Sequence, residues 1–132
     1  MDDNPYSAFT RSLLMIVGTY TGRGSQGVYA YGLQRPDVAA TQLAAVQVLN
    51  PSYVAVSPDR NRIYAVSENG PYDSMVATIS LDWSTGKMRV LCSVNSCGWS
   101  PCHIAMIGGD TLAVANYGSG SLALLGISPD GM

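Results

Sequence analysis

The chain has 132 residues, the size of one ordinary domain, with nine acidic residues against six Arg and one Lys for a net charge of −2. With no basic run longer than the isolated pair Arg60 and Arg62, that balance argues against nucleic acid and anionic membrane as partners. The apolar stretch Leu13 to Val17 follows an acidic Met1-Asp2-Asp3 opening, so it fails as a signal peptide and is too short to span a bilayer; a soluble cytoplasmic protein is expected.

In chain order, residues 1–11 are polar without periodicity and read as a disordered lead-in. Strand character begins at Leu13 to Tyr20, breaks at the Gly-rich Thr21 to Gly27, and resumes over Val28 to Leu33, where β-formers alternate with small residues. Gln34 to Ala40 is a Pro-containing loop. Gln42 to Leu49 is ambiguous, because Ala and Leu favour helix while the Val46-Gln47-Val48 ending favours strand. A complete unit follows: strands over Tyr53 to Ser57, Arg62 to Glu68, Met75 to Asp82 and Met88 to Val94. Its Ser57-Pro58-Asp59 and Ser84-Thr85-Gly86 turns have a mechanism: Pro presets φ, Asp folds back on its own backbone and Gly accepts positive φ. A third unit starts at His103, continues through Thr111 to Tyr117 and Leu122 to Ile127, and closes on the turn phrase Ser128 to Met132, with its fourth strand still to come.

These elements repeat. Met15-Ile16-Val17-Gly18-Thr19-Tyr20 is echoed by Ile63-Tyr64-Ala65-Val66-Ser67-Glu68 and by Leu112-Ala113-Val114-Ala115-Asn116-Tyr117, with spacings of 48 and 49 residues between Tyr20, Glu68 and Tyr117. Asn50-Pro51-Ser52-Tyr53 is likewise echoed by Ser100-Pro101-Cys102-His103, so Tyr53 and His103 share one repeat position. A period of about 40–50 residues belongs to propeller blades, each a four-stranded antiparallel meander that needs neighbours to bury its faces. The repeat therefore settles 42–49 as strand. It predicts an all-β chain of about two to three blades: 12–49 incomplete, 50–94 complete and 95–132 incomplete. A ring of about four to eight blades requires more chain, so either this is a fragment or copies self-associate through exposed sheet edges.

Alternating strand direction gathers Tyr20 to Gly27, Glu68 to Ser74, Ser96 to His103 and Tyr117 to Gly120 at one rim, and the Ser-Pro-Asp turns at the other. The first strand of each blade lines the central channel, which places Tyr53 and His103 near its mouth. His103, the only histidine, is either a hydrogen-bonded rim residue or a general base at a polar opening. Glu68 is a solvated strand end or a pocket carboxylate, and Asn116 satisfies loop backbone or faces a ligand. Cys92, Cys97 and Cys102 match no metal or redox spacing and read as free thiols, and no metal or cofactor is expected.

The phrases Val17-Gly18-Thr19-Tyr20-Thr21, Asn50 to Asp59, Ile63 to Glu68, Pro101-Cys102-His103 and Val114 to Ser121 together resemble the opening third of the lactonase family of seven-bladed β-propellers. The resemblance implies metal-free hydrolysis of 6-phospho-D-glucono-1,5-lactone in the pentose phosphate pathway, with 3-carboxymuconate lactonising enzymes as a similar alternative. It implies His103 and Glu68 as catalytic residues, and the rim placement adds Tyr20, Arg23, Tyr53, Asn116 and Tyr117 as expected contacts of a sugar lactone. Ser67 departs from the family's usual Asn, and the family's later Pro-Arg-His phrases, whose arginines suit an anionic substrate, lie outside this sequence.

Overall fold

A computed structural model describes residues 13–33 and 40–132. The expected lead-in over 1–11 and most of the 34–40 loop lie outside the described residues.

Ten strands form three antiparallel sheets. β1 (Leu13–Gly18), β2 (Gly27–Leu33) and β3 (Thr41–Gln47) make the first, in the order β1-β2-β3. β4 (Val54–Val56), β5 (Arg62–Ser67), β6 (Met75–Leu81) and β7 (Met88–Asn95) make the second, a four-stranded meander in chain order. β8 (Pro101–Ile107), β9 (Thr111–Asn116) and β10 (Ser121–Gly126) make the third. The ambiguous Ala- and Leu-rich segment is strand β3, because pairing with β2 overrides its local helix propensity. The first strand of the second sheet is shorter than the sequence suggests: Tyr53 lies outside β4, its carbonyl taking only the Val66 amide at 3.1 Å.

The 48-residue period is visible in backbone irregularities as well as in sequence. The β2–β3 ladder shifts register between Ala30 and Tyr31, and the β6–β7 ladder shifts at the corresponding Thr78 and Ile79. Such bulges sharpen strand twist, and here they fall at one repeat position. Successive side chains on a strand point to opposite faces, so the second sheet offers one face to the first sheet and the other to the third. Ile63 and Ala65 of β5 pack with Val28, Leu14 and Ile16 of the first sheet, whereas Tyr64 and Val66 pack with Ile104, Leu112 and Val114 of the third. The core is thus two apolar layers, one at each sheet-to-sheet junction.

Close backbone approach fixes the junction beneath the rim. A Cβ on Gly18, the last residue of β1, would stand 2.0 Å from the Pro51 carbonyl oxygen, so only glycine lets β1 run against the segment that enters β4. At the opposite rim the Tyr64 hydroxyl donates to the Gly131 carbonyl at 2.9 Å and Arg62 Nη2 donates to the Asp130 carbonyl at 3.2 Å. That rim encloses a cavity of about 640 Å³ lined by Ser57, Arg62, Asp110 and Ser128 among others.

Candidate active site at the rim of the sheets

Tyr20, Glu68 and Tyr117 follow the ends of β1, β5 and β9, three strands in equivalent positions, and so emerge at the same rim. The Tyr20 hydroxyl reaches the next sheet and donates to Glu68 Oε2 at 2.8 Å. That bond, together with partial desolvation and the charge of Glu68, holds the Tyr20 phenol above the ordinary tyrosine pKa. Tyr20 remains 63% exposed. Ser52 lies beside the phenol, with its Oγ buried and without a hydrogen-bond partner among the described residues.

A second pair stands on the entries to β4 and β8. The rings of Tyr53 and His103 lie with centroids 4.2 Å apart and planes tilted by 38°. His103 owes its aim to a bulge. Pro101 pairs with Asn116 and His103 with Ala115, which leaves Cys102 as an extra residue between them. Pro101 opens the strand, where its missing N–H costs no ladder bond. Both rings are exposed, and no side-chain hydrogen bond occupies the imidazole among the described residues, so its nitrogens are open to a ligand.

The remaining expected residues divide. Arg23 is exposed in the turn after β1, on the same rim. Arg60 and Lys87 lie in turns and Arg62 opens β5 at the opposite rim, where the Arg60 guanidinium covers the Trp83 ring at 4.9 Å. Tyr117 is 81% exposed and held through its backbone, its amide donating to the Ser100 carbonyl at 3.0 Å and its carbonyl accepting from the Gly120 amide at 3.3 Å. Asn116 is buried. Its Nδ2 donates to the Ser96 carbonyl at 3.0 Å, and its carboxamide fills the space a Cβ on Gly98 would need. The Asn116 side chain is thus turned into the 96–98 loop and away from solvent, with its Oδ1 buried and without a hydrogen-bond partner among the described residues.

Sequence reasoning missed the polar frame beneath these side chains. Asn50 bonds to Thr21, Glu68 and Asn69, and Asn69 accepts from Ser100 through its carbonyl at 2.9 Å. The signal was in the sequence: Asn50 and Ser100 share a repeat position before proline, and both adopt positive φ, 46° and 48°. No group of three or more His, Cys, Asp or Glu that could hold a metal occurs among the described residues, and no helix there is long and apolar enough to cross a membrane.

Residues 14–132 match the family described as lactonase, 7-bladed beta-propeller. The chain belongs to the lactonase family of seven-bladed β-propellers. It is 31% identical over 117 residues to a 6-phosphogluconolactonase of Bacillus subtilis (strain 168), covering 87% of this chain and 33% of that protein. Its fold is similar to a crystal structure of a provisionally assigned 6-phosphogluconolactonase of Bacteroides uniformis, with a TM-score of 0.87 and 32% identity over 92% of this chain and 35% of that one. It is also similar to a periplasmic gluconolactonase of Pseudomonas aeruginosa, with a TM-score of 0.81 and 29% identity over 91% of this chain and 36% of that one. This lactonase-family chain therefore spans about a third of the length of the relatives it matches.

Proposed function

We propose that this chain supplies the opening blades of a lactone hydrolase acting on 6-phospho-D-glucono-1,5-lactone, with 12–49 and 95–132 as incomplete blades around a complete one at 50–94. The observation that carries the reading is the exposed His103 ring, tilted against Tyr53 and without a side-chain hydrogen bond among the described residues, on the rim that also carries the Tyr20–Glu68 pair. An imidazole in that state can take a proton from water. The hydroxyl oxygen so formed attacks the lactone carbonyl carbon. The carbonyl π electrons move to oxygen, and the tetrahedral intermediate collapses with cleavage of the ring C–O bond. The imidazolium returns its proton to the departing ring oxygen, giving the open hydroxy acid.

Tyr53 supports the imidazole from one side, and Glu68 orients the Tyr20 hydroxyl toward the sugar. Tyr117 and Arg23 offer contact from the flanking loops, and Asn116 acts by holding the 96–98 loop in place. Arg23 is the sole cation that the described rim loops carry, so most of the charge that receives a phosphorylated substrate comes from the remaining blades. The reading puts the reaction in the pentose phosphate pathway and in the cytoplasm. Since one relative is described as periplasmic, cell fractionation decides the compartment.

The test is His103→Ala in the complete lactonase that carries this segment, assayed on the phosphorylated lactone. Loss of a general base lowers turnover by about 10² or more. An unchanged rate removes His103 from the chemistry and takes the proposal with it.

A further inference from the structure

Tyr20 and Glu68 stand 48 positions apart in sequence and on different sheets, yet their side chains meet at 2.8 Å. Both are partly exposed, and the contact is a single hydrogen bond, so the pair is not held by its own burial. What fixes it must act on the backbone at each end. Thr21 follows Tyr20 and Asn69 follows Glu68, and one side chain spans the two. Asn50 Oδ1 accepts from the Thr21 amide at 2.9 Å and from its hydroxyl at 3.0 Å, while Asn50 Nδ2 donates to Asn69 Oδ1 at 2.8 Å. The Asn50 carbonyl takes the Glu68 amide itself at 3.0 Å.

We propose that the Asn50 carboxamide is a positioning group that sets the Tyr20–Glu68 pair by tying together the two rim turns that carry it. The repeat contains its own control. Ser100 occupies the equivalent position, with the same backbone conformation and the same carbonyl bond to the strand end, here Tyr117 N at 3.0 Å. A serine hydroxyl is too short to span two turns: Ser100 Oγ reaches only the Asn69 carbonyl, at 3.3 Å. Across that junction Tyr117 and Glu68, the counterparts of Glu68 and Tyr20, form no hydrogen bond among the described residues, and Tyr117 is left in solvent. A long carboxamide accompanies the formed pair, and a short hydroxyl accompanies the open one. The role assigned to Asn50 rests on the rim site described above, but its test requires no turnover.

Asn50 holds φ at 46°, a region glycine enters without strain, so Asn50→Gly deletes the carboxamide while keeping the backbone carbonyl that binds Glu68. The readout is the titration of the Tyr20 phenol, followed by NMR on protein labelled at tyrosine Cζ, with Tyr20→Phe to assign the resonance and Glu68→Ala to mark the unpaired limit. We expect Asn50→Gly to shift the Tyr20 midpoint down toward that limit, with cooperative thermal unfolding retained. A folded Asn50→Gly protein whose Tyr20 titrates as in the wild type overturns the proposal. If that variant does not fold, Asn69→Ala, which removes the acceptor of Asn50 Nδ2, is read against the same two outcomes. Failure of the complete lactonase to hydrolyse lactones would sink the proposed function without touching this measurement.

Discussion

Tyr20 ties the rim to pH. Its pKa lies above the ordinary tyrosine value near 10, chiefly because the phenol donates to Glu68. A proton held more tightly in the folded state stabilises that state fully below the unfolded pKa, and the contribution is lost as pH rises through the folded value. The wild type should therefore lose its stability advantage over Tyr20→Phe as the pH climbs past about 10, which urea unfolding between about pH 8 and 12 will read. An advantage that persists at the alkaline end would mean that the Glu68 bond is not what raises the phenol. The acid side carries the opposite sign. Asp59 is held below its ordinary range, first by the Ser57 hydroxyl and then by the Asn61 amide, and Asp130 likewise by Ser128. Their contribution is complete above about pH 4 and fades as the pH falls through the lowered values, so the Ser-Pro-Asp rim holds in mild acid and loosens only in acid stronger than about pH 4.

Among the elements, β1 is the most tightly constrained by its neighbour. Gly18→Ala drives a methyl into the Pro51 carbonyl, backbone against backbone, where no rotamer change offers relief. The expected loss is about 1–3 kcal/mol in thermal or denaturant unfolding, and the Tyr20 hydroxyl should leave Glu68, since the overpacked strand end carries it. A variant of wild-type stability would mean that the β1–β4 junction has slack.

Much of this element level was legible in the sequence. The recurrence of Met15–Tyr20 at Ile63–Glu68 and Leu112–Tyr117 identified three equivalent strands, and it resolved 42–49 as strand where propensity was divided. Turn phrases such as Asp82 to Lys87 carried their own geometry, with the Gly86 amide donating to the Asp82 carbonyl at 2.7 Å. The pairings across sheets were not legible. Tyr20 with Glu68 and Tyr53 with His103 depend on how far two sheets rotate about each other and on rotamers set by that packing. Asn50 escaped notice because an Asn before Pro reads as turn chemistry, whatever its amide later bridges. The Cys102 bulge escaped because a one-residue slip leaves no local signature.

For the whole molecule, the two apolar layers leave one face of the third sheet uncovered. Leu122 and Leu124 on β10 are 69% and 64% exposed, on the face opposite Ala123, which is buried against the second sheet. Contiguous apolar surface of this kind drives association. The isolated chain is expected to self-associate through this face in sedimentation velocity, and Leu122→Lys with Leu124→Lys to reduce that association while leaving the unfolding temperature nearly unchanged. Association that is indifferent to both substitutions would point to an unpaired strand edge as the sticky element instead.

The frame beneath the rim is assembled from Thr21, Asn50, Asn69, Ser74 and Ser100, groups that bear no formal charge. Dissolved electrolyte therefore has almost nothing there to screen. Between dilute buffer and molar salt the scaffold should keep its shape, and any ionic-strength dependence at this rim belongs to Arg23, Glu68 and Asp73, the charged side chains that its described loops carry.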